Sequence, residues 1–136
     1  MTQTKTRRLL LIEDHLWFRQ ALALFLDSEP DLHVVAQAGT IAECRGSLLD
    51  DGLEDVDVAV IDLTLPDGDG IDLIHLLREY APHIVVLVLT VSLEIEKHDL
   101  ALRAGAEEVI SKSGSIEDIL ATIRRLAGSS AVPRSA

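Results

Sequence analysis

Five polar side chains stand at or just past the ends of short apolar runs in this sequence. Glu13 and Asp14 follow RLLLI, Asp62 follows DVAVI, Thr90 follows IVVLVL, and Lys112 follows EEVIS. Grouped carboxylates can hold Mg²⁺, a hard cation that takes oxygen ligands and keeps several of its waters. A lysine brings a point charge and a threonine a hydroxyl, both matched to phosphoryl oxygens. A carboxylate can also be the nucleophile and become an aspartyl phosphate. The set does this chemistry only if the fold brings its members together, so the elements that carry them come next.

RLLLI, HVVAQA, DVAVI, IVVLVL and EEVI have the length and branched side chains of β-strands. DVAVI and IVVLVL are apolar almost throughout, as expected of parallel strands covered on both faces. Amphipathic helical patterns lie between them. Phe18, Leu22 and Phe25 share one face of the first, and Ile116, Leu120, Ile123 and Ala127 one face of the last. Ser115, with Asp118 three residues on, is a candidate N-cap for the last helix, and Gly128 a candidate C-terminal stop. Strict strand–helix alternation predicts one α/β domain, a parallel sheet wrapped by helices. In such sheets ligands bind at the C-terminal ends of the strands, where all five polar residues lie. Four of them have a plain reading alone: Asp14 as a helix cap, Asp62 as a turn former before Pro66, Thr90 as a cap or strand residue, Lys112 as a solvated end. Their coincidence on one edge favours the joint, functional reading.

The chain has 136 residues, room for one domain with a core. Its net charge of −11 would repel a phosphate backbone, which argues against direct nucleic-acid binding. The longest apolar run, Ile84 to Leu89, is far short of the roughly 20 residues that span a bilayer. LLLI after the basic start is too short for a signal-peptide core. A single cysteine, Cys44, fits a reducing, cytoplasmic setting.

LLLIEDH, VIDLTLPDGDGIDLI, VLVLT and VISKS together resemble the response-regulator receiver domains of bacterial two-component signalling, over about residues 8 to 127. The resemblance implies a flavodoxin-like (βα)5 fold, doubly wound, with strand order 2-1-3-4-5. It implies that Asp62 accepts a phosphoryl group from a sensor histidine kinase. Asp14, Asp62 and the backbone carbonyl of Thr64 would bind Mg²⁺, with Glu13 assisting through water. Thr90 would be the switch hydroxyl and Lys112 the counter-charge to the phosphate. Such a domain is a phosphoacceptor rather than an enzyme on an external substrate, and can form a homodimer once phosphorylated. EDHLWFRQAL followed by PDLHVVAQAG is similar to the subgroup joined to helix-turn-helix output domains, where His15 and Arg19 often recur. Transcriptional control through a separate DNA-binding domain, or a stand-alone receiver acting through protein contacts, both fit.

Three positions depart from the family pattern. Val91 follows the switch threonine where a small residue is usual, and its branches could crowd a phosphate. Val109 stands where an aromatic is frequent, and Ser113 where proline is. The five histidines show no metal-ligand spacing, although His15 borders the acidic residues and is placed either to tune them or to start the first helix. Trp17, Ala21 and Leu24 form a second apolar stripe on that helix, read either as extra packing or, by resemblance, as a kinase-docking face. An aspartate-nucleophile phosphohydrolase would carry a second acid where Thr64 stands. A nucleotide or flavin binder would want a glycine-rich first loop, and EDHLWF has no glycine. Residues 1–7 and 128–136 read as flexible ends or a clipped linker.

Overall fold

The computed structural model describes residues 5–49 and 53–130. Strands β1 (Arg7–Ile12), β2 (Leu32–Ala38) and β3 (Val58–Asp62) are followed by a two-residue hairpin, β4 (Thr64–Leu65) and β5 (Gly68–Asp69). Strands β6 (Val85–Thr90) and β7 (Glu108–Ser111) complete the set. The helices are α1 (Leu16–Asp27), α2 (Ile41–Leu49), α3 (Gly70–Tyr80), α4 (Ile95–Ala104) and α5 (Ile116–Ser130). The main sheet has the order β2-β1-β3-β6-β7, all parallel. With the small hairpin left out of the count, this is the expected 2-1-3-4-5 arrangement.

Alternation along the strands builds two cores. Leu10, Ile12, Ala59, Ile61, Val86 and Val88 face Cys44 of α2, Leu73, Ile74 and Leu77 of α3, and Ala101 and Ala104 of α4. Leu9, Leu11, Val58, Val60, Val85 and Leu87 face Leu22 and Leu26 of α1 and Ile119, Ile123 and Leu126 of α5. A fully buried aliphatic side chain contributes roughly 1.5–3 kcal/mol of transfer free energy. The near-continuous apolar strands therefore fix the layering, and their polar successors are left at the rim.

Helix α1 sits differently from the first expectation. Its buried residues are Leu22, Ala23 and Leu26, Phe18 is partly buried, and Phe25 is exposed. Trp17, Ala21 and Leu24 are also exposed, which removes the extra-packing reading of that stripe. At α5, Ser115 does cap: its Oγ accepts from Asp118 N at 3.1 Å. Gly128 does not end the helix, which continues to Ser130 because Leu126 and Ala127 still hold it on the core. Arg7 belongs to β1, its N–H donating to Asp31 O at 2.8 Å, so the folded unit reaches past 8–127 on both sides. Residues 1–4 and 131–136 of the expected tails lie outside the described residues.

Two glycines have steric reasons. Gly105 adopts φ 125° where α4 ends, a region in which a Cβ is disfavoured. A Cβ on Gly70 would lie 2.6 Å from Leu63 Cα and 2.7 Å from Asp62 O, so only glycine lets α3 start against the end of β3.

Candidate functional site

Parallel pairing sets the neighbours of Asp62. It ends β3 opposite Leu89, so Thr90 lies one residue beyond on the adjacent strand. Thr90 in turn pairs with Ser111, and Lys112 N donates to Thr90 O at 3.0 Å, which delivers Lys112 to the same edge. On the other side β1 runs beside β3, and Glu13 N donates to Ala38 O at 2.9 Å as β1 ends. Glu13, Asp14 and Asp62 then offer carboxylate oxygens all within 4.8 Å of one another.

The β1–α1 turn is fixed by its own backbone. His15 is the N-cap of α1, its Nδ1 accepting from Phe18 N at 3.2 Å, so Asp14 is released from the capping role. Glu13 Oε2 accepts from His15 N at 2.9 Å, and Arg19 donates to Glu13 O at 2.7 Å. Beyond Asp62 the chain folds into the β4–β5 hairpin. Thr64 N donates to Asp62 Oδ1 at 3.2 Å, orienting the carboxylate. Asp67, at the hairpin tip, accepts from Ile41 N at 2.9 Å and Ala42 N at 3.0 Å, tying this loop to the start of α2. Those two N–H groups hold the Asp67 carboxyl below its ordinary range.

Lys112 crosses the pocket. Its Nζ donates to Asp62 Oδ2 at 3.1 Å, pairs closely with Glu13 Oε1, and lies 4.9 Å from the centroid of the Phe18 ring. Burial holds the Glu13 carboxyl above its ordinary value despite the Lys112 and His15 hydrogen bonds that lower it. Burial alone would lower the Lys112 ammonium, but its bonds to Glu13 and Asp62 outweigh this and move it up. Two buried acids thus share one cation.

These residues open into a cavity of about 510 Å³ lined by Glu13, Asp14, His15, Phe18, Asp62, Thr64, Val91, Lys112 and Ser113. Asp14 is exposed to it, whereas Glu13 and Asp62 are buried. Val91 reaches the cavity but is 73% exposed, which puts it on the rim. Thr90 is absent from the lining residues, and its Oγ1 accepts from Ser92 N at 3.1 Å. Val109 lies away from the pocket, partly buried against the α3–α4 core. Phe18 is a pocket residue that the sequence pattern had assigned to packing alone. The signal for it was its place three residues after the helix cap, on the side where α1 turns toward the strand ends.

An open parallel sheet with an acidic, metal-capable pocket at its C-terminal edge defines a class of α/β domains that bind their ligands at that edge. The profile of the response regulator receiver domain matches residues 9–124, and the chain belongs to that family. The transcriptional regulatory protein UhpA of Salmonella typhimurium is 35% identical over 117 residues, covering 86% of this chain and 57% of that protein. The DNA-binding transcriptional activator DevR/DosR of Mycobacterium tuberculosis is 35% identical over 105 residues, covering 77% of this chain and 47% of that protein. A LuxR-family two-component response regulator from Aurantimonas superposes with a TM-score of 0.83 at 25% identity, over 92% of this chain and 87% of that one. The chain spans about half the length of the curated relatives it matches. Among the described residues no helix is long and apolar enough to cross a membrane.

Proposed function

We propose that Asp62 is the phosphoacceptor of this receiver domain and takes its phosphoryl group from a histidine of a sensor kinase. The observation that carries the reading is the Asp62 carboxylate, fixed by Thr64 N and Lys112 Nζ and facing an open acidic cavity. In the transfer a carboxylate oxygen forms the new O–P bond while the N–P bond of a phosphohistidine protonated on its other ring nitrogen breaks, so the ring leaves as neutral imidazole. Hard carboxylate oxygens within 4.8 Å of one another fit Mg²⁺, with Asp14, Asp62 and the Thr64 carbonyl as ligands and Glu13 acting through water. When bound, Mg²⁺ offsets charge on the phosphoryl oxygens. Lys112, already bonded to Asp62, supplies a second positive charge to the product, and Thr90 supplies the switch hydroxyl.

The unit that does this runs from β1 through α5. Its exposed α1 stripe of Trp17, Ala21 and Leu24 offers a face on which the kinase can dock. The names of the relatives suggest that the response is transcriptional, and the net charge of −11 supports leaving DNA contact to a separate domain. Self-association after phosphorylation and a cytoplasmic location belong to the same reading. Incubation with acetyl phosphate and Mg²⁺ should add one phosphoryl group that hydroxylamine removes, and chelation of Mg²⁺ should prevent the addition. A chain that stays unmodified under these conditions contradicts the assignment.

A further inference from the structure

The segment joining Thr90 to α4 has little burial to hold it. Leu93 and Ile95 are 86% and 81% exposed, and Val91 is exposed too. Its conformation rests on polar links. Ser92 N donates to Thr90 Oγ1 at 3.1 Å, and Glu94 N donates to Ser92 Oγ at 3.2 Å. His98, one turn into α4, meets Ser92 O through Nε2 at 2.8 Å. A carbonyl only accepts, so Nε2 carries the proton and donates. Glu94 sits at the N-cap of α4 without a side-chain cap, which leaves His98 to tie the helix to the loop. Ser92 is thus gripped on both sides, its N–H by the Thr90 hydroxyl and its C=O by His98. Thr90 itself is 2% exposed and does not line the cavity containing Asp62.

We propose that His98 is a positioning residue for the switch: through Ser92 it keeps the Thr90 hydroxyl turned away from the pocket. This rests on the reading of Thr90 as the hydroxyl that meets the phosphoryl group. To reach it, Oγ1 must give up the bond from Ser92 N, and the His98 link opposes that by fixing Ser92 in place. Breaking one such link shifts the balance toward the pocket-facing form by about fivefold, within the span of a single net hydrogen bond.

The test uses the whole chain with Mg²⁺ and beryllium trifluoride as the phosphoryl analogue. His98→Phe keeps the ring and loses the donor, and should bind the analogue about fivefold more tightly. His98→Gln, whose amide can donate from a similar place, should return the affinity to near the wild-type value. In a Thr90→Ala background His98→Phe should add nothing. Unchanged or weaker binding by His98→Phe, or the same gain without the Thr90 hydroxyl, overturns the role of His98. In the unsubstituted protein the analogue should speed hydrogen exchange at the Ser92 amide, and undiminished protection there also overturns it. Failure of the unsubstituted protein to bind the analogue at all would instead remove the phosphoacceptor reading itself.

Discussion

Replacing Lys112 by methionine keeps most of the side-chain volume and deletes the cation that pairs with both Glu13 and Asp62. The three side chains are 13%, 6% and 7% exposed, so water does little to screen what is left. Two carboxylates with oxygens no more than 4.8 Å apart repel by about 3.5 kcal/mol or more at an effective dielectric constant of about 20. Breaking a buried ion pair on one side costs about 3–5 kcal/mol in general. The expected destabilisation at pH 7.5 is therefore about 3 kcal/mol. Burial already holds the folded Glu13 carboxyl up, and loss of the ammonium pushes it further up. A carboxyl raised in the folded state binds more protons folded than unfolded, so stability falls as pH rises through that window. The deficit should be largest at pH 7.5 and shrink as pH approaches the ordinary glutamate range of about 4.3. Mg²⁺ should also shrink it, by taking the place of the missing charge. Urea unfolding followed by circular dichroism at pH 7.5 and pH 5, with and without Mg²⁺, measures all of this. A deficit below about 1 kcal/mol at pH 7.5, or one equal at both pH values, refutes the electrostatic argument.

Other consequences are simpler to read. Gly70→Ala places a methyl against the backbone of Asp62 and Leu63 and should cost about 2–3 kcal/mol, seen as a lowered thermal midpoint; an unchanged midpoint contradicts the close approach. Arg124 on α5 bonds Asp31 at 2.8 Å and Glu29 at 2.5 Å, and its hydrogen bond holds the Asp31 carboxyl low. Arg124→Gln should therefore lose about 0.5–1 kcal/mol at neutral pH, in urea unfolding. A carboxyl lowered in the folded state contributes above its ordinary range and stops contributing as pH falls through the folded value, so this difference should fade as pH drops below the ordinary aspartate range of about 3.9. Val91→Ala opens the pocket rim and should speed loss of the phosphoryl group about threefold, measured as decay of the modified protein at saturating Mg²⁺. Identical decay would show that the rim methyls do not restrict attacking water.

Much of this was legible in the sequence because buried parallel strands leave a plain record. Their apolar runs end within one residue of the observed strands, and Glu13, Asp62 and Lys112, at or just past three of those ends, line the pocket. Strand order was not legible from periodicity, since a strand's own pattern does not encode its neighbour; it came from the family resemblance. The three- and four-residue spacing of Phe18, Leu22 and Phe25 does not settle which edge of the stripe turns inward, and in the structure Ala23 and Leu26 are buried while Phe25 is exposed. Lys112 alone reads as a switch residue of small consequence for the fold. Only the structure shows it shared between two buried acids. His98 and Asp67 were invisible for the same reason: each acts through a backbone group of a distant or irregular segment, which leaves no periodic trace.

The central claim is that Asp62 carries the phosphoryl group. Intact mass measurement after acetyl phosphate and Mg²⁺ treatment, run beside Asp62→Asn, tests it most directly. An amide cannot supply the anionic nucleophile for an acyl phosphate. The unsubstituted chain should gain one phosphoryl group and Asp62→Asn none; equal gain by both would contradict the account.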